Sequence, residues 1–561
     1  MELLYALFIC LSLLVSTAKG LWPIPRNLET GNSFIKLHNS FKISLDGNIS
    51  RPPQDLLDAI ERTMSFLRND KLQRLVVGRG AADRGAIGSA SALQKLLISI
   101  NSDDIKPIGE EAVKDVLQRN EAYSLSVPAD GGGAVIRAET TLGVLRGLTT
   151  FSQLWYDDGQ GVTYAFGVPV NIENDSPAFP YRGFMLDTSR HFFKVDDIKR
   201  MLDVMSWVKL NMFHWHAVDS QSFPISIAEF PEVAAKGAYS SQETYSTDNI
   251  QDIVSYAAAR GIDVLLEIDT PGHTAAIADS HPEHMACPFG SPWRTFAGEP
   301  PAGQLRLASA ETTNFTTSLI TAIAKTLPSK FFSTGGDEIN LNCYANDSAT
   351  QADLQRTGRT LEQALNDFTQ STHGALRTLG KFPVVWEEMA LEHEVDLHND
   401  TVVMVWISSQ HVAAVAAQNL RIVHAASDFF YLDCGAGGWI GNNPNGGSSC
   451  AFRSWQQTYT FDPFANLTQE QHSLILGGQQ LMWTEQTSPE NLDPIVWPRA
   501  ATSAEIFWTG ATLPDGSPRN VASALPRLHD IRYRMVQRGI NAIALQPEWC
   551  ALRPNTCDVN A

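Results

Sequence analysis

Acidic and aromatic side chains recur at one kind of position in this 561-residue chain: the polar ends of short apolar runs. From Tyr181 onward these ends read Asp187, His216, Asp269, Asp337-Glu338, Trp386-Glu387, Trp406 and Trp483-Thr484-Glu485. Indole faces cover the apolar C–H faces of a sugar ring, and carboxylates accept hydrogen bonds from its hydroxyls. One Trp at a strand end is ordinary packing. Its recurrence alongside acids points to a neutral polyol rather than a phosphorylated ligand.

Gly335-Gly336-Asp337-Glu338 is the sharpest motif. Neighbouring residues on a regular strand point in opposite directions, so both acids reach one ligand only if the strand stops there. A conventional glycosidase needs two carboxyls about 5–5.5 Å or about 6.5–9.5 Å apart, flanking the scissile bond. Adjacent acids suit a different plan, in which the substrate carries its own nucleophile. The carbonyl oxygen of a 2-acetamido group can attack the anomeric carbon. One acid then protonates the leaving oxygen, and its neighbour orients the acetamide and stabilises the oxazolinium cation.

These residues need a scaffold that collects strand ends. The apolar runs are Tyr181–Asp187, Lys209–His216, Ile262–Asp269, Phe331–Glu338, Phe382–Glu387, Val402–Trp406, Arg421–Ala426 and Gln480–Glu485. Segments between them carry helical spacing, as in Ile198, Met201, Leu202 and Met205, or Ile250, Ile253, Ala257 and Ala258. The expected fold is an α/β (β/α)₈ barrel, whose active site lies at the C-terminal ends of its strands. The region at 427–475 reads as a long loop with little helix. Residues 21–178 form a separate α+β region without a catalytic constellation, expected to be structural. Its strands cover 122–127 and 134–138 around a Gly-rich turn, and helical spacing follows over 141–154. The expected domains are 1–20, 21–178, 179–525 for the barrel, and 526–561 as an extension closing on it.

Composition narrows the partners. Forty-two Lys and Arg against 61 Asp and Glu give a net charge of −19, which argues against binding nucleic acid through its backbone. No GxGxxG or Walker sequence opens a helix. Met1–Gly20 has the short apolar core and small residues of a secretory leader, and no other apolar run approaches a membrane span. Cys10 leaves with that segment. Close spacing then pairs Cys434 with Cys450 and Cys550 with Cys557, leaving Cys287 with Cys343. Asn48, Asn174, Asn314, Asn346, Asn399 and Asn466 each begin an N-x-S/T sequon. A secreted glycoprotein, or one of the lysosomal–vacuolar lumen, is expected.

In family order, the chain resembles glycoside hydrolase family 20, the β-N-acetylhexosaminidases. The resemblance rests on Arg182–His191, His214–Phe223, Glu267–His273, the Gly-Gly-Asp-Glu stretch and Trp483–Glu485. The region before Pro180 also resembles the small domain that precedes this family's barrel. The resemblance implies Glu338 as general acid and then base, and Asp337 as the residue holding the acetamide nitrogen. Tyr431 would donate to the acetamide oxygen. Arg190 would grip O3 and O4, with Asp433 and Glu485 on the O4/O6 side. Trp386, Trp406, Trp483 and Trp455 would wall the sugar pocket, and Asp219 with His273 would form the relay behind Glu338. Arg182 and Asp187 would brace the first strand. No cofactor or metal is implied, and the family leaves a homodimer open. The expected activity is exo-hydrolysis, with retention, of terminal GlcNAc or GalNAc from chitin oligosaccharides or glycans. The alternatives are a lacto-N-biosidase-like enzyme, a catalytically silent sugar-binding barrel, and a metal hydrolase built on His214-x-His216.

Overall fold

The computed structural model describes residues 20–434, 438–442 and 452–561, apart from 48 and 50. The expected leader up to residue 19, Asn48 and Cys450 lie outside the described residues. The chain divides into two compact units that interleave in sequence. Residues up to Ile105, Glu121–Ser176 and Thr509–Ala561 make one; Lys106–Asn120 and Pro177–Trp508 make the other.

The first unit is built on a six-stranded mixed sheet. Its strands are β1 (Glu29–Leu45), β2 (Ser91–Ile100), β3 (Tyr123–Val127), β4 (Ala134–Ala138), β5 (Tyr156–Asp157) and β6 (Thr163–Asp175), in the order β1-β2-β4-β3-β6-β5. The helix Thr141–Ser152 starts at Thr140, whose hydroxyl accepts from Gly143 N at 3.0 Å. A side chain at Gly143 would meet the Ala122 carbonyl at 2.3 Å, so glycine lets this helix lie against the chain entering β3. The segment 526–561 groups with this unit rather than extending the barrel. The physical reason is a buried cation. Arg534 pairs with Asp530 at 2.7 Å and donates to the carbonyls of Gln153 and Trp155, while Tyr156 donates to Asp530.

The second unit is the barrel. Its strands are β7 (Tyr181–Asp187), β8 (Met212–Val218), β9 (Asp263–Ile268), the short antiparallel pair β10 (Met285–Ala286) and β11 (Gln304–Leu305), then β12 (Phe331–Gly335), β13 (Phe382–Trp386), β14 (Val402–Val405), β15 (Arg421–His424), β16 (Tyr431–Asp433) and β17 (Ile475–Met482). Strands β7, β8, β9, β12, β13, β14, β15 and β17 pair in parallel, and the pairing of β15 with β17 closes the ring. β7, β8 and β9 are buried at every position, as expected of parallel strands covered on both faces. β16 is an extra strand on β17 at the barrel mouth. It comes from the stretch expected to be loop, which also holds the short helix Trp455–Tyr459.

Expected and observed strands differ mainly at their ends. The fourth stops at Gly335 rather than running to Glu338, because Gly335 and Gly336 turn at φ 65° and 100°. The last starts at Ile475, five residues before the expected Gln480, because Gly477 and Gly478 pair in register with Tyr181 and Arg182. Disulfides join Cys287 to Cys343 and Cys550 to Cys557. Cys434 is also disulfide-bonded.

The excursion Lys106–Asn120 is tied to the barrel by Arg119, which meets Asp263 at the start of β9 at 2.7 Å with both side chains almost fully buried. Removing one member of such a pair strands a charge. Arg119→Leu is expected to lower stability by about 3–5 kcal/mol in denaturant unfolding. Arg68→Ala, which breaks an exposed contact with Glu61, should cost under about 1 kcal/mol.

Candidate active site

The mouth of the barrel holds a cavity of about 200 Å³. Its wall includes Arg190, His273, Asp337, Glu338, Trp406, Tyr431, Trp483 and Glu485. The two glycines after β12 make this possible. A Cβ on Gly335 would fall 1.9 Å from Asp269 Oδ1, and one on Gly336 would fall 2.5 Å from Met389 Cγ. Gly336 N–H donates to Asp269 Oδ1 at 2.9 Å and fixes the turn. Glu338 then sits at φ 50°, an uncommon conformation for a residue with a side chain. The consecutive acids thus face one cavity. Asp337 is 7% exposed, whereas the Glu338 side chain is 36% exposed.

Behind them runs a buried chain of imidazoles and carboxylates. His273 Nδ1 is 3.0 Å from Asp219 Oδ1, and its Nε2 lies 3.6 Å from Glu338 Oε2 and 3.7 Å from Asp337 Oδ2. His216 bridges Asp219 at 2.9 Å and Glu267 at 2.5 Å, and His214 meets Glu267 at 3.1 Å. Gln479 Nε2 lies 3.0 Å from His214 Nδ1. The nitrogens of His214 and His216 are therefore engaged by protein partners, which leaves no free lone pair in His214-x-His216 for a cation. Burial lowers the affinity of His273 for a proton, but Asp219, Asp337 and Asp269 outweigh it and raise its pKa well above the usual value. Burial likewise opposes charge on Asp219, yet Arg190 and His273 hold it well below the carboxylate range.

Arg190 is the second cation. Its guanidinium touches Asp219 at 2.9 Å, Glu299 at 3.2 Å and Asp187 at 3.3 Å, and lies 5.0 Å from the centre of the Trp483 ring. Glu485 joins the wall with one buried oxygen lacking a hydrogen-bond donor. Burial pushes its pKa up to about 8; Arg190 opposes the rise, and Glu299 and Asp187 add to it. Trp406 and Tyr431 stack at 6.3 Å and 12°, and Tyr431 also hydrogen-bonds Trp483. Trp406 Nε1 donates to Glu388 at 2.8 Å.

Three expected site residues are not among those that line the cavity. Trp386 is buried beneath the pocket, 6.2 Å from Trp483. Asp433 accepts from Thr487 at 3.0 Å outside the lining. Trp455 packs on Tyr459 at 6.3 Å. Conversely, Trp293, Gly298 and Glu299 after β9, and Trp439 and Ile440 after β16, line the cavity without being expected. The signal for Gly298 and Glu299 is a Gly-Glu-Pro-Pro turn, which marks a loop but not its direction.

Residues 179–511 match the model of glycosyl hydrolase family 20, catalytic domain, and residues 21–154 match that described as beta-acetyl hexosaminidase like. The chain belongs to glycosyl hydrolase family 20. A beta-hexosaminidase of Arthroderma benhamiae is 34% identical over 84% of this chain and 79% of its own. The Flavobacterium johnsoniae chitobiase structure aligns at a TM-score of 0.73 with 26% identity, covering 94% of this chain and 74% of that one. An exo beta-N-acetylglucosaminidase from Vibrio harveyi, solved with N-acetylglucosamine, gives a TM-score of 0.72 at 23% identity over 94% and 78% of the two chains. This family 20 protein is a glycoside hydrolase of the β-N-acetylhexosaminidase type.

The raised groups set the sign of its pH dependence. Glu485 and Glu388 each have a folded pKa of about 8, well above the unfolded carboxyl value, so their protonated forms favour the fold at low pH. That contribution is lost as pH rises from about 4.5 to about 8. His216 and His273, also raised, act in the same direction at higher pH. Ionisation of Glu485 and Glu388 therefore lowers the melting temperature between pH 5 and pH 8, against the rise contributed below about pH 6.5 by His373 and His424, whose burial disfavours the imidazolium. Glu485→Gln, which cannot ionise, should flatten that slope.

Proposed function

We propose that this enzyme removes single terminal N-acetylhexosamine residues from the non-reducing end of glycans or chitin oligosaccharides, with retention, through an oxazolinium intermediate. The observation that carries this reading is the pairing of Asp337 and Glu338 on one turn, one buried and the other open to the cavity. Glu338 donates its proton to the glycosidic oxygen as the C1–O bond breaks. The acetamide oxygen forms the new bond to C1 from the opposite face. Asp337 accepts from the acetamide N–H and faces the positive charge that develops, while Tyr431 steadies the acetamide oxygen. Water then attacks C1, its proton passes to Glu338, and the acetamide is released with the original configuration.

Arg190, with its fork of donors, suits vicinal hydroxyls, and Glu485 beside it suits a third. Trp406 and Trp483 offer the apolar walls. The bound N-acetylglucosamine of the Vibrio harveyi enzyme supports the same ligand class.

Export as a glycoprotein is part of the reading. Asn174, Asn314, Asn346, Asn399 and Asn466 are all exposed, and among the described residues no helix is long and apolar enough to cross a membrane. The leader sequence and the disulfides fit the same route.

The test is turnover of p-nitrophenyl N-acetyl-β-glucosaminide with NMR detection of the first-formed anomer. A β product is expected; an α product overturns the mechanism. Glu338→Gln should lower kcat/KM on chitobiose by about 10²–10⁴ and on activated aryl glycosides far less. Thiazoline mimics of the cyclised intermediate should inhibit competitively.

A further inference from the structure

Asp269 ends the run of β9 and has no role in the chemistry described so far. It is fully buried, and its carboxyl lies against that of Asp337 beneath the Gly335-Gly336 turn. Oδ1 of Asp269 accepts from Gly336 N–H. Oδ2 of Asp269 and Oδ1 of Asp337 are both buried and both lack a donor. His273 cannot satisfy them: its Nδ1 faces Asp219, and its Nε2 is 3.7 Å from Asp337 Oδ2. Two carboxylates have no hydrogen of their own to place between them. A carboxyl–carboxyl bond therefore requires one proton.

We propose that Asp269 is the positioning residue of Asp337, sharing one proton with it in the free enzyme and holding that proton when the substrate's acetamide binds. This rests on the substrate-assisted reading above. The proton balance is simple. The shared O–H bond passes wholly to Asp269, no proton leaves the pair, and Asp337 becomes the carboxylate that accepts the acetamide N–H. The pair carries one negative charge throughout. It avoids two buried anions in contact, and its single charge lies beside the developing oxazolinium.

The electrostatics agree. Burial raises Asp269 to about 6 against the pull of His273, with Glu267 adding to the rise. Burial and then Asp269 also raise Asp337 well above the usual carboxyl value. The surrounding titratable groups are His273 on the loop after β9, Glu267 on β9 and His216 on β8, with Glu338 next to Asp337, Glu388 after β13 and Tyr431 on β16. Loss of the shared proton as pH rises would leave two adjacent carboxylates and weaken acetamide binding.

Asn offers one acceptor for Gly336 N–H and one donor for Asp337, and it cannot ionise. The experiment compares the full-length wild type, Asp269→Asn and Asp269→Ala on 2,4-dinitrophenyl N-acetyl-β-glucosaminide, whose departure needs no proton from Glu338. The readouts are kcat/KM against pH and the infrared band of a protonated carboxyl. Asp269→Asn should stay within about tenfold of wild type in mild acid, lose the alkaline fall seen in wild type, and lose the carboxyl band. Asp269→Ala should fall at least about a hundredfold. An Asp269→Asn enzyme that keeps both the alkaline fall and the band overturns the proposal, whatever the folding of the Ala variant. Asp337→Asn separates the two ideas. If it spares hydrolysis and thiazoline inhibition, the substrate-assisted reading fails. If it abolishes both while Asp269→Asn keeps the wild-type pH profile, only the proton sharing fails.

Discussion

Crowded negative charge is the constraint on which this active site depends. Asp187, Asp219, Asp269, Glu267, Asp337 and Glu485 are drawn together at the strand ends with little or no exposure. Unpaired, such a cluster could not be buried in ionised form. His214 and His216 hold Glu267, and two cations hold the rest: Arg190 among Asp187, Asp219 and Glu299, and His273 between Asp219 and the Asp337-Glu338 turn. Asp219 touches both cations, so a single carboxylate links the Arg190 side of the pocket to the Asp337-Glu338 side.

The barrel supplies the other half of the design. Strand ends arrive from all around a closed ring, so chemistry can be divided among residues far apart in sequence. β7 brings Asp187 and the segment to Arg190; β8 leads to Asp219, β9 to Asp269 and His273, and β12 to the Asp337-Glu338 turn. The two glycines after β12 mark where regular pairing is sacrificed to chemistry. Alternation would have sent Asp337 and Glu338 to opposite faces, and the turn at φ 65° and 100° overrides it.

Much of this was legible in the sequence, for physical reasons particular to certain residues. Asp337 and Glu338 were readable because the Gly-Gly pair that aims them is adjacent in the chain. The barrel was readable because buried parallel strands are near-continuous apolar runs. Trp386 illustrates the limit: a Trp at a strand end announces burial, yet only tertiary packing decides whether it faces the ligand or lies beneath Trp483. Trp293, Glu299 and Trp439 were illegible because they stand on long loops, where no periodicity fixes direction. The extra strand β16 escaped notice because a three-residue strand carries too little pattern to separate it from loop. For the 526–561 segment no motif names a partner, and its grouping with the first unit rests on Arg534 and its buried partners.

Cys287 and Cys343 stand on either side of the pocket's chemistry. The first lies where the β9 loop departs toward Trp293 and Glu299, the second in the helix Leu341–Asn346 just beyond Glu338. Their bond fastens the loop that carries Trp293 and Glu299 to the segment that follows Glu338. Gln304, paired twice with the Asn340 backbone, and Tyr344, donating to the Leu305 carbonyl, join the same two segments. Covalent and hydrogen-bonded ties thus converge on one seam beside the cavity, so two loops far apart in sequence behave there as one wall.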